Sequence, residues 1–319
     1  PGLLFTGLLG LYVTWVDRKI TARIQSRIGP PWWQPYADVL KLMQKKMIIP
    51  RGSKRAGFLL APLVGLAGVT LAATIIWAAN LWPAEGFVGD LIVVIYLLAV
   101  PALALILGGA ASGSPFGALG AGREMQMVLA YELPFLLAIV VAILKVSGTA
   151  VVVGADTLSP LLLPDYVRWQ AVEGAIALSP SGAIALVVAF LCMQAKLGVL
   201  PFDQPEAETE LIGGPLAEYS GPGLALFKLT HAMMFVVMPV FLTTLFLGGS
   251  GLVAAEDGTF HFTTGGWVLF AVKVLVLFVL VVVVKSTHAR LRLDQVLKLY
   301  WGRLSVRGLI AVVLALGGW

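Results

Sequence analysis

The sequence predicts an all-α, polytopic membrane protein with about eight transmembrane helices and structured loops. Three observations carry that reading. Of the 319 residues, 59% are hydrophobic and only 12% are charged, with a mean hydropathy of +0.93; a soluble domain carries about 25% charged residues. Apolar runs close to the roughly 20 residues that a bilayer core demands recur along the chain. The charges gather in the stretches between those runs. This balance excludes a soluble enzyme, a disordered segment and a nucleic-acid-binding domain, and the net charge of +5 reads as basic loops beside a membrane. A single cysteine, Cys192, excludes a disulfide framework, a cysteine-rich zinc site and an iron–sulfur cluster held by this chain alone. Cys192 lies in an apolar run and reads as packing.

The expected spans are 1–16, 57–81, 91–110, 125–146, 181–199, 223–248, 265–285 and 304–319. The first starts at Pro1 without a methionine, so residues are expected to precede it, and it lacks the form of a signal peptide. Gly and Pro inside several spans are tolerated where neighbouring helices resatisfy the backbone. Residues 17–55 hold ten Lys/Arg against only Asp17 and Asp38. Alternate loops on the same side add Arg123, Lys196, Lys285, Arg290, Arg292, Lys298 and Arg303, while the opposite side holds essentially Lys145 and Arg168. The positive-inside rule then places loops 17–55, 111–124, 195–222 and 285–303 in the cytoplasm, with both termini outside a cell membrane. No long repeat or linker divides the chain, so residues 1–319 read as one transmembrane domain.

Three of these loops are unlike ordinary connectors. In the first, Arg23 and Arg27 are spaced to share a helical face, and Gly29-Pro30-Pro31 stops that helix. Residues 36–46 then read as a short amphipathic helix with Tyr36, Leu40 and Met43 on one side. A basic surface helix on anionic lipid and a docking element for a partner subunit both fit. In the second loop, Asp203, Glu206, Glu208, Glu210 and Glu218 fall within 16 residues and make up five of the chain's 17 acids. Clustered carboxylates repel one another and shift some protonation equilibria toward neutrality, as a proton relay requires. A solvated acidic loop and a divalent-metal site are the alternatives, although the spacing matches no ligand motif. The third loop opens with His288, Arg290, Arg292 and Asp294 and reads as a basic anchor or a partner contact.

Ionisable residues within spans are costly and default to functional candidates. Glu132 lies in the fourth span, His231 and Lys228 in the sixth, and Lys273 in the seventh. Lys228 is placed to snorkel to the interface. A lone His such as His231 is more often a helix–helix contact than a proton carrier. A buried carboxyl without a partner is neutral, so a nearby cation or water would make Glu132 switchable.

At these loops the sequence resembles a known family. It is similar to the membrane subunit that joins the peripheral arm of respiratory complex I to its membrane arm (the H subunit in bacteria, subunit 1 in mitochondria). It is equally similar to the equivalent subunit of energy-converting, membrane-bound NiFe hydrogenases and formate hydrogenlyase. The matching segments are DRKITARIQSRIGP with QPYADVLKL, GREMQMVLAYELPF, PFDQPEAETELIGGPLAEYSG and RLRLDQVLKLYWG, spread over residues 17–302. The resemblance implies a subunit with no redox centre, metal or catalytic residue of its own. Such a subunit forms part of the chamber under the terminal redox site of the soluble arm and opens a charged path toward antiporter-like subunits. Carried over by motif, Glu206, Glu208, Glu210, Glu218, Asp203 and Glu132 match family acids of that path. Asp17, Arg18, Arg23, Arg27, Asp38, Arg123, Arg292 and Asp294 match its charged chamber and partner-facing loops. Implied partners are soluble large and small Fe–S subunits, antiporter-like and small membrane subunits and the lipid bilayer, with no nucleic acid. NiFe and Fe–S centres are expected in those partners, and a quinone would sit in the chamber if the complex I branch held.

Departures from the family pattern bear on the branch. Complex I members carry a longer stretch after the first GP; here it is GPPWWQP, the shortened form associated with the hydrogenases, and GSPFGALGAGRE leans the same way. YELPF and ELIGG lean toward complex I. Lys196 stands where an acid is common upstream of PFD, Pro101 stands where the third span often has one, and His231 replaces another. Lys196, His231 and Lys273 are therefore expected to carry or tune charge alongside fewer carboxylates. The expected function is coupling of ferredoxin-linked, hydrogenase-type electron transfer to H⁺ or Na⁺ translocation. The alternative is the quinone-chamber H subunit of NADH:quinone oxidoreductase. A stand-alone transporter would need repeats and broken helices at mid-membrane, and the sequence shows neither.

Overall fold

A computed structural model of the chain describes residues 2–83, 86, 89–148, 152–153, 156–254 and 260–318. In chain order the helices are α1 (Leu4–Ile24), α2 (Gln34–Gln44), α3 (Arg55–Leu81), α4 (Asp90–Ala111), α5 (Pro115–Gly148), α6 (Leu163–Glu173), α7 (Pro180–Lys196), α8 (Glu208–Leu211), α9 (Gly221–Phe246), α10 (Thr264–Thr287) and α11 (Leu293–Leu316). Two short antiparallel ribbons, Val152–Val153 with Asp156–Thr157 and Leu252–Ala254 with Phe260–Phe262, are the strands among the described residues.

Helices α1, α3, α4, α5, α7, α9, α10 and α11 answer to the eight expected spans. Six of them (α3, α4, α5, α9, α10 and α11) are long and apolar enough to cross a membrane, and α7 is a shorter apolar helix. α1 has the length, but its second half carries Asp17, Arg18, Lys19 and Arg23. The chain is a multi-pass membrane protein of helical architecture. Each long helix runs opposite to the next, so one end of the bundle, the loop end, gathers residues 25–54, 112–114, 197–220 and 288–292.

α9 is the hub. Its apolar window is 89% buried, against 50% or less for the other five long apolar helices, and α1, α2, α3, α7 and α10 pack around it. A helix that is apolar on every side belongs in a core. Small residues let the backbones approach, as expected where lipid offers no competing hydrophobic drive. A Cβ at Gly10 of α1 would lie 2.5 Å from the Ala232 carbonyl oxygen of α9, and one at Gly68 of α3 would lie 2.6 Å from Val100 of α4.

Several boundaries differ from expectation. α1 continues through Asp17–Arg23 and stops at Ile24. Ser26 adopts a left-handed conformation (φ 56°), and the Arg27 N–H donates to the Ala22 carbonyl at 2.7 Å. That closure ends the helix before the Gly-Pro-Pro stop. Arg27 therefore lies beyond the helix, and the predicted shared face with Arg23 is not formed. The amphipathic segment is α2, shifted two residues earlier. Its Tyr36 hydroxyl donates to the Leu8 carbonyl at 3.0 Å, while Leu40 and Met43 are exposed.

The largest difference is α5. The sequence reading starts the fourth span at 125 and makes 111–124 a loop; the helix begins at Pro115 and runs 34 residues. At about 1.5 Å per residue it is about 51 Å long, well beyond a hydrocarbon layer of about 30 Å. Gly117, Gly120, Ala121, Glu124 and Met127 are all buried, at the spacing of one helical face. That small-residue face lets Gly214–Leu216 lie directly on the helix: a Cβ at Gly120 would meet Pro215 Cδ at 2.5 Å. The extension of α5 is thus a shelf on which the acidic loop rests.

Candidate functional site

The loop from Leu197 to Ser220 is held by the motif residues themselves. The Asp203 carboxylate pairs with Arg290 at 2.8 Å, the Leu291 N–H donates to the Pro201 carbonyl at 3.1 Å, and the Gln204 amide donates to the Leu291 carbonyl. PFDQP is therefore clamped to the RLR segment before α11. Further along, Gly214 has φ +51°, and a Cβ there would lie 1.9 Å from the Pro205 carbonyl oxygen. Only glycine lets the chain turn back on itself that closely. Tyr219 stacks on Phe58 with centroids 4.1 Å apart and donates its hydroxyl to the Phe58 carbonyl at 3.0 Å. Ser220 accepts from the Ile48 N–H at 3.1 Å, tying EYS to the first loop. Replacing Tyr219 by Phe removes one buried hydrogen bond, so stability is expected to fall by about 1 kcal/mol, read as a lowered Tm in detergent.

So held, the loop roofs a cavity of about 280 Å³ at the loop end. Leu11, Pro101, Leu105 and Phe227 supply apolar wall. Arg18, Asp38, Glu124, Lys196, Asp203, Glu206, Lys228 and His231 supply charge or a titratable ring. Asp203, Glu206, Lys196, His231, Arg18 and Asp38, singled out from sequence and carried by α1, α2, α7, the acidic loop and α9, thus meet at one cavity. Arg18 pairs with Asp38 at 3.0 Å, and Gln34 donates to the same carboxylate at 2.9 Å. Burial opposes ionisation of Asp38, but these hydrogen bonds outweigh it and hold the carboxyl below its ordinary range. His231 contacts the Leu197 carbonyl through Nε2 at 2.8 Å, packs edge-on against Phe235 with centroids 5.0 Å apart, and lines the cavity.

Lys196 connects this cavity to Glu132. Its ammonium, almost fully enclosed, pairs with the Glu132 carboxylate at 2.6 Å and sits over the rings of Phe135 (4.7 Å) and Tyr131 (5.2 Å). Removing either partner of such an enclosed pair typically costs about 3–5 kcal/mol, because the remaining charge is left uncompensated. The position where an acid is common is thus filled by a cation that binds an acid from the neighbouring helix.

Other predicted residues lie elsewhere. Glu210 pairs with Arg123 at 2.5 Å on the exposed flank of α5. The guanidinium holds the Glu210 carboxyl below its ordinary range. A depressed carboxylate stabilises the fold above its unfolded value of about 4.3 and loses that contribution as pH falls through the folded value. The Tm gap between wild type and Arg123→Ala is therefore expected at neutral pH and should close toward pH 3. Asp17 pairs with Lys285 at 2.7 Å between α1 and α10. Glu218 is half-buried beside Tyr219, outside the cavity wall. Arg23, Arg27, Arg292 and Asp294 are exposed. The side chain of Glu208 lies outside the described residues. Lys273 donates to the Leu247 carbonyl just past the far end of α9, about 24 Å along the helix from His231. It joins neither Glu132 nor the cavity.

Glu124 is a site residue that sequence reasoning misses. It is a buried carboxyl that lines the cavity two turns before Glu132 on α5. Taking 111–124 as a loop hides it, although Gly117, Gly120, Ala121 and Glu124 already trace a helical face. Arg290 and Lys285 read from sequence as loop charges alone, and each neutralises a predicted acid. Among the described residues no group of three or more His, Cys, Asp or Glu side chains is placed to hold a metal.

Comparisons with known proteins agree in one direction. A family model described as NADH dehydrogenase matches residues 2–316. The H subunit of the NADH-quinone oxidoreductase of Thermomicrobium roseum is 35% identical, covering 94% of this chain and 89% of the relative. That of Carboxydothermus hydrogenoformans is 32% identical, covering 94% and 81%. Among solved structures, a chain of the membrane-bound sulfane sulfur reductase, an archaeal respiratory membrane complex, superposes with a TM-score of 0.84 at 27% identity, covering 98% of this chain and 96% of that one. With the family model spanning nearly the whole length and the PFD, EYS and RLR motifs together fixing the loop that roofs the cavity, the chain belongs to the NADH dehydrogenase H-subunit family of complex I-like respiratory membrane proteins.

Proposed function

We propose that this chain couples electron transfer in a soluble redox arm to H⁺ or Na⁺ movement through the membrane arm. The arm is read as hydrogenase-type and ferredoxin-linked, and the loop end as cytoplasmic. The observation that carries the reading is the cavity. Its walls bring Glu124, Asp203, Glu206 and His231 together where a soluble partner would dock, and Lys196 continues the charge inward to Glu132. A charge change above the loop would act on these groups at short range and low dielectric, where about 1.4 kcal/mol moves a protonation equilibrium tenfold. Soluble Fe–S subunits would bear the redox chemistry, and antiporter-like subunits would carry the ion onward.

The shortened GPPWWQP turn and the fold likeness to a sulfane sulfur reductase favour a non-quinone branch. A second reading, the quinone chamber of an NADH:quinone oxidoreductase, is favoured by the names of the 32–35% identical relatives and by the apolar wall of Leu11, Pro101, Leu105 and Phe227. The native complex, purified through a tag on this chain, separates them. About one nickel per copy is expected for the hydrogenase-type arm. Intact Fe–S partners without nickel, together with quinone reduction, would overturn it for the second reading.

A further inference from the structure

We infer that Lys196 is a movable cation shared by two carboxylates of α5, Glu132 and Glu124, and that its position decides which of them is left to take up a proton. The inference rests on the coupling reading above.

An ammonium has three N–H donors. Among the described residues, Lys196 makes one hydrogen bond, to Glu132, and the rest of its surroundings are two aromatic faces and the cavity. No second hydrogen bond among the described residues locks it in place. Glu124 faces the same cavity, is buried, and has no hydrogen bond or ion pair among the described residues. The two carboxylates are eight residues apart on one helix, about 12 Å between Cα atoms. A four-carbon lysine stem and two glutamate side chains can close that gap. The Tyr131 and Phe135 rings hold the ammonium at the Glu132 stop through their faces and not through further hydrogen bonds.

Charge counting makes the arrangement bistable. Two carboxylates share one cation, so one carboxylate is always without it, and an uncompensated buried carboxylate favours its neutral form. With the ammonium on Glu132, Glu124 holds the proton. When the ammonium moves to Glu124, the proton displaced from Glu124 passes to Glu132; on the return swing Glu132 releases it toward the span side and Glu124 takes another from the cavity. The three groups sum to zero charge in both states, and each full cycle moves one proton from the cavity to the span side. The titratable and charged groups facing this trio are Tyr131 on α5, Cys192 on α7 and Tyr300 on α11, with Arg18, Asp38, Asp203, Glu206, Lys228 and His231 around the cavity. A charge placed near Asp203 and Glu206 would bias the ammonium between its stops.

The test uses the intact complex in membrane vesicles, with electron flux and ion uptake measured separately. Lys196→Met and Glu124→Gln are both expected to keep electron flux within about twofold and to lower ions moved per electron at least about tenfold. Glu124→Gln leaves the Lys196–Glu132 pair intact, so its effect is not a folding defect. The exchange variant Glu132→Lys with Lys196→Glu keeps an ion pair but moves the cation onto α5, and it is expected to remain uncoupled. Normal ion uptake in Glu124→Gln, or recovery in the exchange variant, would show a fixed brace and overturn the inference. If Glu132→Gln uncouples while Lys196→Met and Glu124→Gln do not, the inference fails and the coupling reading stands. If all three pump normally, both fail.

Discussion

Gly214→Val is expected to unseat the acidic loop. The substitution puts a β-branched side chain at φ +51°, and its Cβ would overlap the Pro205 carbonyl oxygen at 1.9 Å. Strain of this kind costs about 1–3 kcal/mol, and overpacking adds a similar amount. At roughly 2–4 °C per kcal/mol the Tm of the chain in detergent should drop by about 5 °C or more. The functional consequence should exceed the thermal one. Pro205 lies between Asp203 and Glu206, so the displaced carbonyl carries both cavity acids with it, and complex assembly is expected to fall. A Tm within a degree of wild type would show that the loop closes in another way.

Arg290→Ala should act on the same loop from the other side. The Arg290–Asp203 pair is about three-quarters enclosed on each side. Losing it leaves Asp203 uncompensated in a cavity that already holds Glu124 and Glu206. A hydrogen bond to a charged group contributes about 1.5–3 kcal/mol, the lower part applying at this exposure. Stability at neutral pH is expected to fall by about that amount, read as a lowered Tm in detergent. Asp203→Asn in the Arg290→Ala background should restore stability at neutral pH. Failure of that rescue would mean that Arg290 acts through something other than Asp203.

Much of this molecule is legible in its sequence, for reasons that differ by residue. Long apolar runs announce themselves by composition, so the spans are found although their ends are not. PFDQP, ELIGG and EYS are legible as motifs, and their constraints explain why they look distinctive: a clamp on Arg290, a turn only Gly214 permits, and a ring stack of Tyr219 on Phe58. Pairings are harder. Asp17 with Lys285 joins residues 268 apart, and Lys196 with Glu132 joins residues 64 apart; neither separation has a local signature. Lys273 looks like a partner for Glu132 because both lie in spans, but depth along a helix depends on chain direction, and α10 puts Lys273 beside the end of α9 opposite the cavity. Glu124 escapes because apolarity, the signal that starts the fourth span, fades where α5 leaves the bilayer, while its small-residue face continues.

The charges gathered in the cavity, continued through Lys196 to Glu132, are the proposed link between electron flow and ion flow. The most direct test is the number of ions moved per electron by the intact complex carrying Glu132→Gln together with Glu206→Gln, at matched electron flux in sealed vesicles. A fall of at least about tenfold with electron transfer preserved is the predicted result. An unchanged ratio would contradict that link and leave this chain as a membrane anchor whose carboxylates serve its fold alone.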